Sequence, residues 1–138
     1  MSAIAPTPLF ASVLVMAGGA IGALGRYQLG RWISHALGPV QVGQFPWATL
    51  AANVIGCAGM GLVFGWLARN GGQSAESLRL LVGVGLLGGF TTFSAFGLEM
   101  LLLIERGAAG LAVFYAAISV AGGLTALYLA LIVMRGAA

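Results

Sequence analysis

The chain is built from long apolar stretches separated by short polar ones. Residues 32–68, 80–98 and 107–134 contain no Asp, Glu, Lys or Arg, and an earlier apolar stretch begins at Leu9. A helix that crosses a bilayer needs about 20 predominantly apolar residues, so each stretch can hold one crossing. The pattern predicts an all-α membrane protein with four transmembrane helices.

Turn residues and tryptophans bound these predicted spans, which we place at about 9–32, 46–68, 78–104 and 111–134. The segment SHALGPVQVGQFP is predicted to be a loop because it is rich in glycine and proline. Pro46 is predicted as an early residue of the second helix. Trp32, Trp47 and Trp66 fall near span ends, where interfacial aromatics concentrate. No linker separates two domains, so residues 1–138 are expected to form a single four-helix transmembrane domain.

The composition agrees with this prediction. The chain is 60% hydrophobic and 7% charged, with a mean hydropathy of +1.04, whereas soluble domains carry about a quarter charged residues. No basic residue precedes the first span and no small-residue cleavage site follows it. We therefore expect the first span to be retained rather than removed as a signal peptide.

The net charge is +3, and all of the basic residues that contribute to it are arginines. These arginines are scattered singly along the sequence. Without a basic stripe, a nucleic-acid partner is not expected. The predicted topology places three arginines on each side of the membrane: Arg69, Arg79 and Arg135 against Arg26, Arg31 and Arg106. Because the positive-inside rule then gives no preferred orientation, we expect dual topology and an antiparallel homodimer.

Polar residues recur inside the predicted spans at helical spacing. Thr49 and Asn53 lie four residues apart on the second span, and Tyr115 and Ser119 do so on the fourth, so each pair shares a helix face. Such residues either hydrogen-bond a neighbouring helix or line a wet path. Each pair alone leaves both alternatives open.

The third span contains GGFTTFS, in which Gly88-Gly89 and Thr91-Thr92 loosen the helix near its centre. Non-helical backbone survives at membrane depth only when it is buried in protein or lines a cavity. Helix ends near the midplane can build ion sites. A simple kink is the alternative to such a functional break.

Phe93, Phe96 and Glu99 follow this break. Phenylalanine pairs usually only pack, but aromatic ring edges are electropositive and can contact a small anion without a fixed charge. A carboxylate inside the membrane is costly. We therefore expect Glu99 to lie near a wet vestibule, where Arg26 or Arg106 offsets its charge.

Three motifs together resemble the Fluc (CrcB) family of fluoride channels: GGFTTFSAF followed by Glu99, TLAANVIG around Asn53, and GALGR ending at Arg26. The resemblance extends over nearly the whole chain. It implies a dual-topology homodimer with two antiparallel pores, in the inner membrane of a bacterial cell. Such a channel exports fluoride passively and so reduces its toxicity.

The resemblance also implies roles for individual residues. Arg26 is expected at the pore entrance, with Glu99 as the acid of the third span. The implied sodium site uses the backbone carbonyls of Gly88 and Thr91, and binds a structural ion at the dimer centre. A further hydroxyl is frequent in the family where this chain has Gly123. The implied fluoride pathway consists of Phe93, Phe96, Asn53, Thr49, Tyr115 and Ser119.

Other classes of function fit the sequence less well. No nucleophile, metal-ligand cluster or nucleotide-binding loop favours an enzyme. A small dual-topology exporter needs an acid in the membrane to couple protons, typically in the first span, and that span has none. A structural subunit would need only helices packed through glycines, but this role leaves the polar stripes unexplained.

Overall fold

The computed structural model describes residues 6–70 and 73–136. This part of the chain contains four helices long and apolar enough to cross a membrane: Pro8–Gln44, Trp47–Arg69, Ala75–Glu105 and Ala109–Gly136. The predicted number and order of spans are confirmed. The chain is a multi-pass, all-helical membrane protein.

The first helix, α1 (Pro8–Gln44), is longer than predicted. It continues through the expected loop and is interrupted only at Gly38, whose φ of 79° is left-handed. Glycine adopts this conformation without a steric penalty, and Pro39 then starts a second helical segment with a suitable fixed φ. The prediction of a loop here was therefore wrong.

Short connections join the other helices. Pro46 directly precedes α2 (Trp47–Arg69) rather than lying within it, which corrects the predicted start by one residue. On the same side of the molecule, Gly107 has a φ of 77° and separates the third span from the fourth. A left-handed glycine is a common way to end a helix.

The third span is irregular along its length. Its elements are α3 (Gln73–Leu78), a π-helical segment (Arg79–Leu87), α4 (Gly88–Phe90) and α5 (Phe93–Glu105). Between α4 and α5, Thr91 and Thr92 are extended, with φ/ψ of −83°/160° and −151°/124°. Backbone groups near these residues therefore need partners other than the next helical turn.

Each of the first two helices packs mainly on a helix two spans later. Helix α1 lies along the π-helical segment and α4, and α2 lies along α6 (Ala109–Gly136). Gly18 and Gly22 allow the first of these contacts, since a Cβ at either would overlap the backbone of Leu81 or Leu86. Small residues give this close approach in membrane proteins.

A buried cluster lies where the α1–α2 connection meets α5 and α6. Its members are all largely or fully buried: Phe45, Leu50, Leu103, Ala112 and Tyr115. Tyr115 is completely inaccessible. The cluster fixes the side chain of Tyr115 beside the polar groups of the neighbouring helices.

Candidate functional site

Glu99 joins polar side chains from three helices. The Thr49 hydroxyl on α2 donates to Glu99 Oε1 at 2.6 Å, and the Tyr115 hydroxyl on α6 donates to Oε2 at 2.8 Å. Thr49 and Tyr115 are both buried, while Glu99 on α5 is half-buried. The carboxylate thus accepts a hydrogen bond on each oxygen, as buried polar groups require.

Aromatic contacts fix the position of the Tyr115 phenol. Phe45 packs edge-on against it, with ring centroids 5.4 Å apart and planes at 80°. The Phe96 ring also contacts the Tyr115 ring, with ring centroids 5.0 Å apart and planes at 48°. Offset and edge-to-face geometries are the favourable ones for such pairs, so the Tyr115 hydroxyl points at Glu99 from a rigid setting.

The surroundings of Glu99 match only part of the expectation for it. A cleft of about 340 Å³ has both Glu99 and Arg106 among its lining residues, in line with an open vestibule. Among the described residues, however, Glu99 forms no ion pair with either predicted arginine. Arg106 instead donates to the Gly43 carbonyl at 2.6 Å. Two hydroxyl donors, rather than an arginine, therefore contact the Glu99 carboxyl group.

Asn53 forms a second polar centre one helical turn further along α2. Its Nδ2 donates to the Thr92 carbonyl at 3.1 Å, and its Oδ1 accepts from the Thr92 N–H at 2.9 Å. The side chain therefore satisfies both backbone groups of an extended residue. The Thr92 hydroxyl in turn accepts from the Ala95 N–H at 3.2 Å and caps α5.

The same arrangement releases a carbonyl at Gly88. In a continuous helix the Thr92 N–H would donate to the Gly88 oxygen, but here it donates to Asn53. The Thr91 N–H and hydroxyl both donate to the Leu87 carbonyl, at 3.0 and 2.9 Å. Backbone oxygens are suitable ligands for a hard cation, so the released carbonyl fits the sodium site that the resemblance implies.

Phe93 and Phe96 differ sharply in their surroundings. Their ring centroids are 5.9 Å apart. Phe96 is half-buried against Tyr115, whereas the Phe93 side chain is 84% exposed in the single chain. The predicted pair therefore lies together, with one ring against the core and the other projecting from it.

Two further predicted residues have buried polar atoms that lack a hydrogen-bond partner among the described residues. They are Arg26, through Nε, and Ser119, through Oγ. Ser119 lies one turn beyond Tyr115 on α6. Arg26 lines a separate cleft with Arg31 and His35. Such atoms need water or a ligand, which is typical of groups along a wet path.

Sequence reasoning missed Phe45 and the contact made by Arg106. Both lie near segments read as turns, where no periodic pattern selects a residue. The available signal was the position of Phe45 directly before Pro46 and two residues before Trp47. Gly123 also has a structural role, since a Cβ there would lie 3.2 Å from Cys57 Sγ.

The model of the family described as "CrcB-like protein, Camphor Resistance (CrcB)" matches residues 13–131. The chain belongs to the CrcB family. A relative in Novosphingobium aromaticivorans, named "Fluoride-specific ion channel FluC", is 56% identical over 93% of this chain and 98% of its own. Relatives with the same name occur in Phenylobacterium zucineum, 50% identical over 91% and 95% of the two chains, and in Erythrobacter litoralis, 46% identical over 93% and 94%.

Proposed function

We propose that this protein is a fluoride-selective channel that lets fluoride leave the cell passively. The observation that carries the proposal is the convergence of the Thr49 and Tyr115 hydroxyls on one anionic group, the Glu99 carboxylate. Membership of the CrcB family and relatives named as fluoride-specific channels support the same conclusion.

Fluoride is a compact anion that gives up its water only where other donors replace it. The two hydroxyls already point at an anionic oxygen, so a fluoride ion near Glu99 would use the same donors. Asn53 donates one amide N–H to the Thr92 carbonyl. A primary amide has a second N–H, which could donate to the ion. Together with Ser119, these groups form a series of neutral donors along α2 and α6.

Phe93 and Phe96 supply the part of the path that lacks polar groups. Their ring edges stabilise a small anion weakly, so the ion is not trapped as it would be by a fixed positive charge. Conduction requires binding that is favourable enough for an ion to bind and weak enough for it to leave. Arg26 acts at the pore entrance through long-range attraction.

The functional unit we propose is an antiparallel homodimer with two pores in the bacterial inner membrane. Three arginines on each predicted side support it, because they leave insertion without a preferred direction. The 84% exposure of Phe93 also supports it. A second copy would cover this ring and complete the path beside it.

The sodium site belongs to this dimer proposal. The carbonyls of Gly88 and Thr91 would hold the ion, and Gly88 is exposed on the single chain. A bound cation would satisfy backbone oxygens that the interrupted helix leaves without helical donors. Two antiparallel copies would bring two such sets together.

The test is fluoride efflux from proteoliposomes that contain the purified protein, followed with a fluoride electrode. We expect efflux that carries charge, is selective over chloride and needs no proton gradient. Efflux coupled to protons would instead indicate an exporter. Absence of flux from correctly folded protein would indicate a structural role and overturn the proposal.

A further inference from the structure

We propose that Arg106 is a positioning residue for the fluoride path: it straps the α1–α2 connection to the end of α5 and thereby keeps Tyr115 aimed at Glu99. This inference rests on the proposed channel function. From the sequence, Arg106 was expected only as a counter-charge for Glu99, with which it forms no ion pair among the described residues.

The strap is a pair of charge-assisted contacts. Arg106 Nη1 donates to the Gly43 carbonyl at 2.6 Å, across 63 positions of sequence. Its Nε donates to the Leu102 carbonyl at 3.3 Å, within the last turn of α5. A cation at this end of a helix also interacts favourably with the unpaired carbonyls there. The guanidinium is therefore held at one end by its own helix and reaches the connection with the other.

The strap holds the part of the α1–α2 connection that contains Phe45. Gly43 is two residues before Phe45, which is only 7% exposed. The Phe45 ring contacts Trp47 at 4.7 Å and Tyr115 at 5.4 Å. A shift of this segment would remove one of the two aromatic walls around the Tyr115 phenol.

The last step leads from the phenol to the carboxylate. Tyr115 donates to Glu99 at 2.8 Å, and Glu99 and Arg106 line the same cleft together with Gly43 and Phe45. Arg106 thus acts on the site through Phe45 and Tyr115 rather than by pairing with Glu99. Hydrogen bonds to charged groups are worth enough that their loss changes an equilibrium about tenfold.

Arg106→Ala and Arg106→Lys separate this role from others. The first removes the strap, and the second keeps the charge but cannot reach both carbonyls with a planar fork. We expect fluoride flux to fall about tenfold in Arg106→Ala and to be largely lost in Arg106→Lys as well. A role through charge alone predicts instead that lysine restores flux fully.

Arg31→Ala is the matched control, because Arg31 is an exposed arginine on the same predicted side of the membrane and lines a different cleft. It removes the same charge and gives the same change in insertion bias. We expect Arg106→Ala to lose much more flux than Arg31→Ala.

A double-mutant cycle with Tyr115→Phe tests the route. If Arg106 acts through the phenol, Arg106→Ala should reduce flux much less in the Tyr115→Phe background than in the natural chain, while both proteins remain folded dimers. Additive losses in the two backgrounds would overturn the inference, as would a fully active Arg106→Ala. Absence of flux from the natural chain would overturn the proposed function instead.

Discussion

Tyr115 and Glu99 are joined by a hydrogen bond of 2.8 Å between neighbouring helices, with the phenol as donor. Thr49 donates to the other carboxylate oxygen. The donors that we assign to fluoride are thus occupied by an acid of the chain itself. Passage of an anion requires these hydroxyls to exchange the carboxylate oxygens for the ion.

Tyr115→Phe tests the value of this bond. The variant leaves Glu99 Oε2 without its phenol donor, and a lost hydrogen bond of this kind costs about 1–3 kcal/mol of stability. We expect a lower unfolding temperature in detergent and reduced fluoride flux. Tyr128→Phe is the control, because Tyr128 lies on the same helix but is 61% exposed. Identical behaviour of the two variants would contradict the assigned role.

Phe93→Ile and Phe96→Ile test the ring edges. Both should lower fluoride flux, because isoleucine has no electropositive edge. Only Phe96→Ile should also lower stability, since Phe96 packs on Tyr115 while Phe93 is mostly exposed in the single chain. Substitution by tyrosine or methionine at either position should reduce flux less. Normal flux in both isoleucine variants would mean that the rings serve packing alone.

Asn53→Ala tests the pairing with Thr92. The variant leaves a backbone N–H and a carbonyl without their partner at membrane depth, where each unsatisfied group costs several kcal/mol. We expect little folded protein after extraction. Asn70→Ala removes an amide that donates to the Trp66 carbonyl at the exposed end of α2 and should be tolerated. Equal yields and equal melting temperatures would refute the claim that Asn53 supports the interrupted helix.

Gly22→Ala and Gly88→Ala separate packing within the chain from the proposed dimer centre. A Cβ at Gly22 would overlap the Leu86 carbonyl, whereas one at Gly88 would lie 4.0 Å from its nearest neighbour, the Gly83 carbonyl. The first variant should therefore unfold readily. The second should fold but lose dimer stability and flux if Gly88 helps to hold sodium between two copies.

Replacing sodium by a large organic cation during purification is the companion measurement for the natural chain. Flux should fall on replacement and recover when sodium returns. Flux that is indifferent to the monovalent cation would remove the sodium site and leave the interruption as a packing feature.

Lysines added at the start of α3, directly after the connection from α2, test dual topology. Gln73→Lys with Ser74→Lys should direct this end of the third span to the cytoplasm and reduce the number of functional dimers. Co-expression with a Gln44→Lys variant, biased the other way, should restore flux. Full activity of the first variant by itself would exclude an antiparallel dimer.

The sequence predicted the spans well because hydrophobic length is set by the bilayer and hardly depends on neighbouring helices. It also placed Thr49 and Tyr115 on polar faces. It could not reveal that both donate to Glu99, because spacing within one helix does not determine how three helices rotate against each other. The partner of Asn53 was hidden for the same reason.

The loop prediction around Gly38 failed for a different reason. Glycine and proline together usually end a helix, but a single left-handed residue can also separate two helical segments that continue in sequence. Whether the second segment persists depends on what it packs against. Here Phe45, which directly follows the segment, belongs to the buried cluster. The members of that cluster on α5 and α6 lie far from Gly38 in the chain, so the local sequence does not reveal the contact.

The pairing of α1 with the third span, and of α2 with α6, has a consequence for biogenesis. Neither of the first two helices meets its main partner until a later span has left the ribosome, which at about 5–20 residues per second takes seconds. During that interval Asn53 has no backbone to bind, and the glycine faces of α1 lie open to lipid. Membrane quality-control proteases would therefore find their best substrates among chains that stall before the fourth span is complete.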